Sequence, residues 1–84
     1  MNEAIEEAMS KVVKTIGVWH DEELAGQHTH ETAQTLEFQL TVLKLLIGID
    51  KFDELPAFSR MLKEATRFNT AWYKAKEQKE KFAK

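Results

Sequence analysis

The run from Thr32 to Ile49, TAQTLEFQLTVLKLLIGI, is the densest concentration of large apolar residues in the chain, and every other segment has to fold around it. Wound as an α-helix at about 100° per residue, it places Leu36, Leu40, Leu43 and Ile47 on one face and Phe38, Val42, Leu45 and Ile49 nearly opposite, with Leu46 bridging the two. Glu37, Thr41, Lys44 and Gly48 are squeezed into a narrow polar strip. The apolar arc is therefore wider than the roughly 100° stripe of an ordinary surface helix, and the helix needs partners on two sides. Val42 to Ile49 is short enough to be read as a strand, but the length of the whole run and its Leu-rich, Val-poor composition favour helix.

The remaining composition agrees. Three glycines and one proline among 84 residues leave few turn-formers among many helix-formers, which points to an all-α protein. A chain this long makes one domain whose core is only just sufficient, a size at which oligomerisation commonly supplies the missing burial. The absence of cysteine excludes disulfides, thiolate metal sites and thiol catalysis, and is compatible with a reducing cytoplasm, the expected location. The first eight residues are acidic where a secretory signal would be basic, and Glu37 and Lys44 interrupt the apolar run before it is long enough to cross a bilayer, so no membrane association is expected.

Asn2 is placed to cap a first helix over about residues 3–18, with Glu3, Glu6 and Glu7 early and Lys11 and Lys14 later, and with Ile5, Ala8, Met9, Val12, Val13, Ile16 and Trp19 forming its apolar stripe. From His20 to Thr29 the periodicity lapses and a connection is expected, the competing reading being one continuous helix from Glu22 to Ile49 that tolerates Gly26. The second helix should occupy about residues 30–50. Asp53 is the expected cap of a third over about residues 54–80, with Pro56 in its first turn and Phe58, Met61, Ala65, Phe68, Trp72, Ala75 and Phe82 along its seam. The expected architecture is a three-helix antiparallel bundle with the second helix in the middle, one domain over residues 1–76, and a charged, frayed end over 77–84.

Charge is unevenly spread. Residues 1–31 carry seven acids and two bases, residues 60–84 eight bases and three acids, within a net charge of −2. Arg60, Arg67, Lys74 and Lys81 recur every seven residues with Lys63 and Lys84 beside them, a ladder of positive charge opposite the Phe58–Trp72 seam with Tyr73 near it. These positions, Arg60, Lys63, Arg67, Tyr73, Lys74 and Lys81, are the candidate partner-binding residues. An acidic protein partner is the first reading and nucleic-acid phosphates the alternative; the plain reading is a solvated face balancing the acidic first helix.

The second candidate surface is the spare apolar face. Phe38, Val42, Leu45, Ile49 and Phe52 would form an exposed patch larger than a monomer ordinarily tolerates. Burial in a homo-oligomer through the second helix resolves it, with Gln39 setting the register by a buried hydrogen bond. A third, weaker feature is the cluster of His20, Asp21, Glu22, Glu23, His28, His30 and Glu31, whose side-chain types bind zinc or iron but whose spacing matches no metal-binding signature; a solvated connection explains it as well, and His20 beside Trp19 reads as a pH-sensitive packing contact. No phosphate loop, nucleophile elbow or buried carboxylate pair is present, so neither an enzyme nor a bound cofactor is expected. The sequence thus describes a small non-enzymatic helical regulatory protein of inhibitor, adaptor or assembly-chaperone type, a kind common in bacteria and phages.

Overall fold

Each helix boundary has a local cause. A computed structural model describes residues 2–82, which fold into α1 (Glu3–Leu24), α2 (His30–Ile47), α3 (Ile49–Asp53) and α4 (Pro56–Phe82), with no strand among the described residues. Asn2 caps α1, its side-chain oxygen accepting from the Ala4 N–H at 2.8 Å, and Glu3 and Glu6 sit in the positive first turn. The helix runs past residue 18, where the periodicity suggested an end, because the polar residues from His20 to Glu23 are all compatible with helix. Gly26 stops it: at φ +84° the Gln27 N–H donates to the Glu22 carbonyl and the Gly26 N–H to the Glu23 carbonyl, both at 3.0 Å, the paired bonds of a glycine-terminated helix. The connection is Ala25–Thr29 rather than His20–Thr29, and the continuous helix from Glu22 to Ile49 is not formed.

Thr29 starts α2 with its hydroxyl accepting from the Thr32 N–H at 3.3 Å. Gly48 ends it at φ 94°, ψ 149°, a conformation essentially closed to residues with a Cβ. The chain re-enters helix as α3, so the expected three helices become four. Asp53 is the last residue of α3, not a cap of α4; the first α4 bond runs from the Ser59 N–H to the Leu55 carbonyl at 3.0 Å. Pro56 occupies the first turn, where no backbone donor is required. A Cβ added to Gly48 meets no atom within 4 Å, so substitution there is a pure backbone test: Gly48→Ala should cost about 1–3 kcal/mol, read from urea unfolding, with helical content preserved.

α2 lies between α1 and α4, and no Cα of α1 comes within 8 Å of one in α4 among the described residues. Ala33, Leu36, Leu40 and Leu43 are fully buried on α2, joined by Val12 and Trp19 from α1, Phe52 from α3, and Met61 and Ala65 from α4. Phe52 was expected on the exposed patch. It is 1% exposed, because the turn at Gly48 redirects the following residues and carries the ring into the core. The α4 seam also differs from expectation. Phe58, Met61, Ala65 and Phe68 pack as their spacing implies, but the next buried position is Asn69, while Trp72 is partly exposed and Ala75 exposed. α2 begins at His30, level with Trp72, and every residue from Thr70 to Lys81 is exposed. The Phe82 side chain and Lys84, read as seam and ladder members, lie outside the described residues.

Candidate interaction surfaces

On α4 the ladder faces away from the core. Arg60, Lys63, Arg67, Lys74 and Lys81 are all exposed, and successive rungs of the seven-residue row stand about 10.5 Å apart along the axis. Among the described residues no carboxylate lies within ion-pair distance of any of them; the one lysine pair, Lys11–Glu7 at 3.3 Å, lies within α1. With α1 on the other flank of α2, the acidic helix does not neutralise the basic one by direct pairing. Tyr73 belongs elsewhere. Its hydroxyl accepts from Gln34 Nε2 at 2.7 Å, and its ring meets those of His30 and Trp72 edge-on at 5.1 and 5.3 Å. It ties α4 to the start of α2, and Lys76, with Nζ 5.3 Å from the Trp72 ring centroid, covers the same cluster.

The outer face of α2 is bare along one row: Phe38 is 70% exposed, Leu45 76% and Ile49, just past the Gly48 turn, 61%. Val42 is half-buried and, with Ala4, Ala8 and Leu46, lines a shallow groove between α1 and α2 beside Phe38. Gln39 does not face outward as a register-setting residue would. It accepts from the Thr15 hydroxyl at 2.6 Å and so belongs to the α1–α2 packing. On the other flank, Asn69 Nδ2 donates to Glu37 Oε2 at 3.1 Å, which satisfies part of the one polar side chain buried in the core among the described residues.

The histidine cluster resolves into three separate settings. His20 is exposed and pairs with Glu23 at 3.6 Å, so it is not the residue packed on Trp19. That place belongs to His28, whose ring stacks on Trp19 with centroids 3.6 Å apart and planes 12° off parallel, while His30 stacks on Trp72 at 3.7 Å and 3°. Among the described residues no group of three or more His, Cys, Asp or Glu side chains is placed to hold a metal ion, and no helix is long and apolar enough to cross a membrane.

Glu22 organises this corner. Its carboxylate accepts from the Thr29 N–H at 3.1 Å, the Thr29 hydroxyl at 3.0 Å and the Thr32 hydroxyl at 2.6 Å, which ties the end of α1 to the start of α2. Burial pushes the carboxyl up, but the hydrogen bonds from the Thr32 hydroxyl, the Thr29 N–H and the Thr29 hydroxyl, with the charge of His28, outweigh it and hold the group below its ordinary 4.5. A carboxyl lowered in the folded state stabilises the fold above that ordinary value, and the stabilisation is lost as pH falls through the lowered one. Glu22→Gln should therefore lower the unfolding temperature by a few degrees at neutral pH, with the gap to the parent closing on acidification below 4.5. Thermal scans followed by circular dichroism check both parts.

Sequence reasoning found the ladder and the bare row but missed this corner. The only local signal was Thr29 preceding Thr32 at a helix start; the carboxylate that joins them sits seven residues earlier on another helix. No protein-family model, no curated protein sequence and no solved structure matches the chain.

Proposed function

We propose that this chain is a small non-enzymatic binding module that works by protein–protein contact and completes its own fold as a homo-oligomer through the bare face of α2. The observation that supports this reading is the exposure of Phe38 and Leu45 on the face of α2 opposite the core, with Ile49 exposed just past the Gly48 turn. A two-fold symmetric contact buries each of these side chains twice. At about 1.5–3 kcal/mol per large apolar side chain, that is roughly 9–18 kcal/mol gross, against an association cost of about 4–15 kcal/mol. Gain and cost are of similar size, so further burial on the same face decides the affinity. The groove lined by Ala4, Ala8, Val42 and Leu46 extends the same face.

With α2 so occupied, the ladder on α4 remains for an acidic protein partner. Rim charges of this kind set association rate and partner choice more than affinity. Nucleic acid is the second reading, favoured by the row having no carboxylate partner among the described residues. Salt separates the two. Phosphate neutralisation makes log affinity fall with log salt at about −0.9 per contact on duplex DNA, so retention on DNA that collapses at moderate salt, with a slope flattened in Arg60→Glu/Arg67→Glu, supports nucleic acid. Capture of one specific protein, lost when Arg60, Arg67 and Lys74 are replaced by glutamate while the oligomer persists, supports the protein reading; an identical capture pattern for both chains sinks it.

A further inference from the structure

We propose that His28, stacked on Trp19 beside Glu22, is a pH-responsive clasp that holds the α1–α2 turn more tightly to the end of the helical packing when its imidazole is protonated. The reading is independent of the proposed function. The stack is close and nearly parallel, and Phe68 of α4 closes it edge-on, 5.9 Å from Trp19 and 6.2 Å from His28. Three elements therefore meet at one imidazole: α1 through Trp19, the turn through His28 itself, and α4 through Phe68.

Two features make the ring sensitive to its charge. Nδ1 is buried with no hydrogen-bond partner, and Glu22 Oε1 lies 3.7 Å from it, too far for a good bond to a neutral ring. A proton added to the imidazole leaves both nitrogens as donors, turns the Glu22 approach into an ion pair, and turns the Trp19 stack into a cation–π contact. Glu22 is ready for this, since the hydrogen bonds from Thr29 and Thr32 fix its carboxylate in place and keep it ionised as the solution becomes mildly acidic.

The surrounding charges leave His28 and Glu22 as the working pair. On α1, His20 and Glu23 lie 3.6 Å apart on the exposed side, away from the stack. α2 contributes the neutral Thr29 and Thr32 at this corner, with Glu31 exposed beyond them. α4 offers Phe68 to the ring and, among the described residues, no charged group within ion-pair distance of it. The second stack is different in kind. His30 has no carboxylate within ion-pair distance among the described residues, and the Trp72 ring beneath it already carries the Lys76 ammonium at 5.3 Å.

Tryptophan emission tests the clasp, because a protonated imidazole in face contact quenches an excited indole. In the full chain carrying Trp72→Phe, Trp19 reports alone. Its emission should fall by at least about twofold between about pH 8 and about pH 5, the span over which histidine takes up its proton, and should stay flat when His28→Gln is added. Emission independent of pH in the single variant, or an equal fall in the double variant, overturns the proposal. The unsubstituted chain gives a second reading that no folding defect can cloud: cross-relaxation between the His28 ring protons and the Trp19 indole should strengthen on acidification over the same span. A contact that is unchanged or weaker at the acid end contradicts the clasp.

Discussion

Leu40→Ala should lower the free energy of unfolding by about 2–5 kcal/mol, the usual cost of a cavity left by a fully buried leucine. Leu40 is 0% exposed at the centre of α2, where side chains from α1 and α4 converge. At roughly 0.05–0.15 kcal/mol per residue, a chain of this length has on the order of 4–13 kcal/mol in all. One methylene-rich side chain thus decides whether a large part of the population is folded. The expected result is a urea midpoint displaced to much lower concentration with the slope of the transition unchanged. The matching control is Leu45→Ala on the opposite side of the same helix, where little packing within the chain is lost and the monomer's own stability should move by less than about 0.5 kcal/mol. Equal losses at the two positions, at a concentration where the protein is monomeric, would mean that α2 is buried on both sides by its own chain.

Leu45→Glu should do the reverse, leaving the fold intact and weakening self-association by on the order of a hundredfold or more. Leu45 is the most exposed member of the bare row, with Phe38 about two turns before it on α2 and Ile49 exposed just past the Gly48 turn. In a two-fold arrangement the substitution places a carboxylate from each copy into the same desolvated apolar patch, and each then lacks a partner. A truncation at such a position commonly costs 2 kcal/mol or more, and an unpaired charge adds to that; each 1.4 kcal/mol is about tenfold in affinity. Far-ultraviolet circular dichroism should be indistinguishable from that of the parent, because an exposed glutamate is a good helix former.

The contrast between these two substitutions shows how much the sequence carried. Positions 36, 40, 43 and 47 against 38, 42, 45 and 49 separate cleanly on a helical wheel, and the first set supplies the fully buried leucines of α2 while Phe38, Leu45 and Ile49 of the second are exposed. Asn2 and Pro56 were legible because capping and first-turn proline are local rules. What escaped depends on a backbone angle or on distance along the chain. Nothing in the residues around Gly48 announces a φ of 94°, and without that turn Phe52 sits on the outer face instead of in the core. The end of α1 was misplaced because His20 to Glu23 are as acceptable in helix as in loop; the Gly26 termination is a local signal, while the reach of Glu22 to Thr29 that reinforces it joins two elements. The histidines were grouped by proximity in sequence as possible ligands, whereas the two stacked rings each found an indole: Trp19, at the edge of the cluster, for His28, and the distant Trp72 for His30. The ladder needed only regular helix, and its seven-residue spacing survives in α4; whether α1 would neutralise it depended on packing order, which puts α2 between them.

The central claim is that the bare row on α2 is the surface through which this chain associates with itself. Sedimentation equilibrium on the intact chain and on Leu45→Glu, across a concentration series centred on the micromolar range, tests it most directly. The expected masses are at least twice the 9.7 kDa of one chain for the intact protein and 9.7 kDa for the variant, with equal helical content. A mass of 9.7 kDa for the intact protein at every concentration would contradict it.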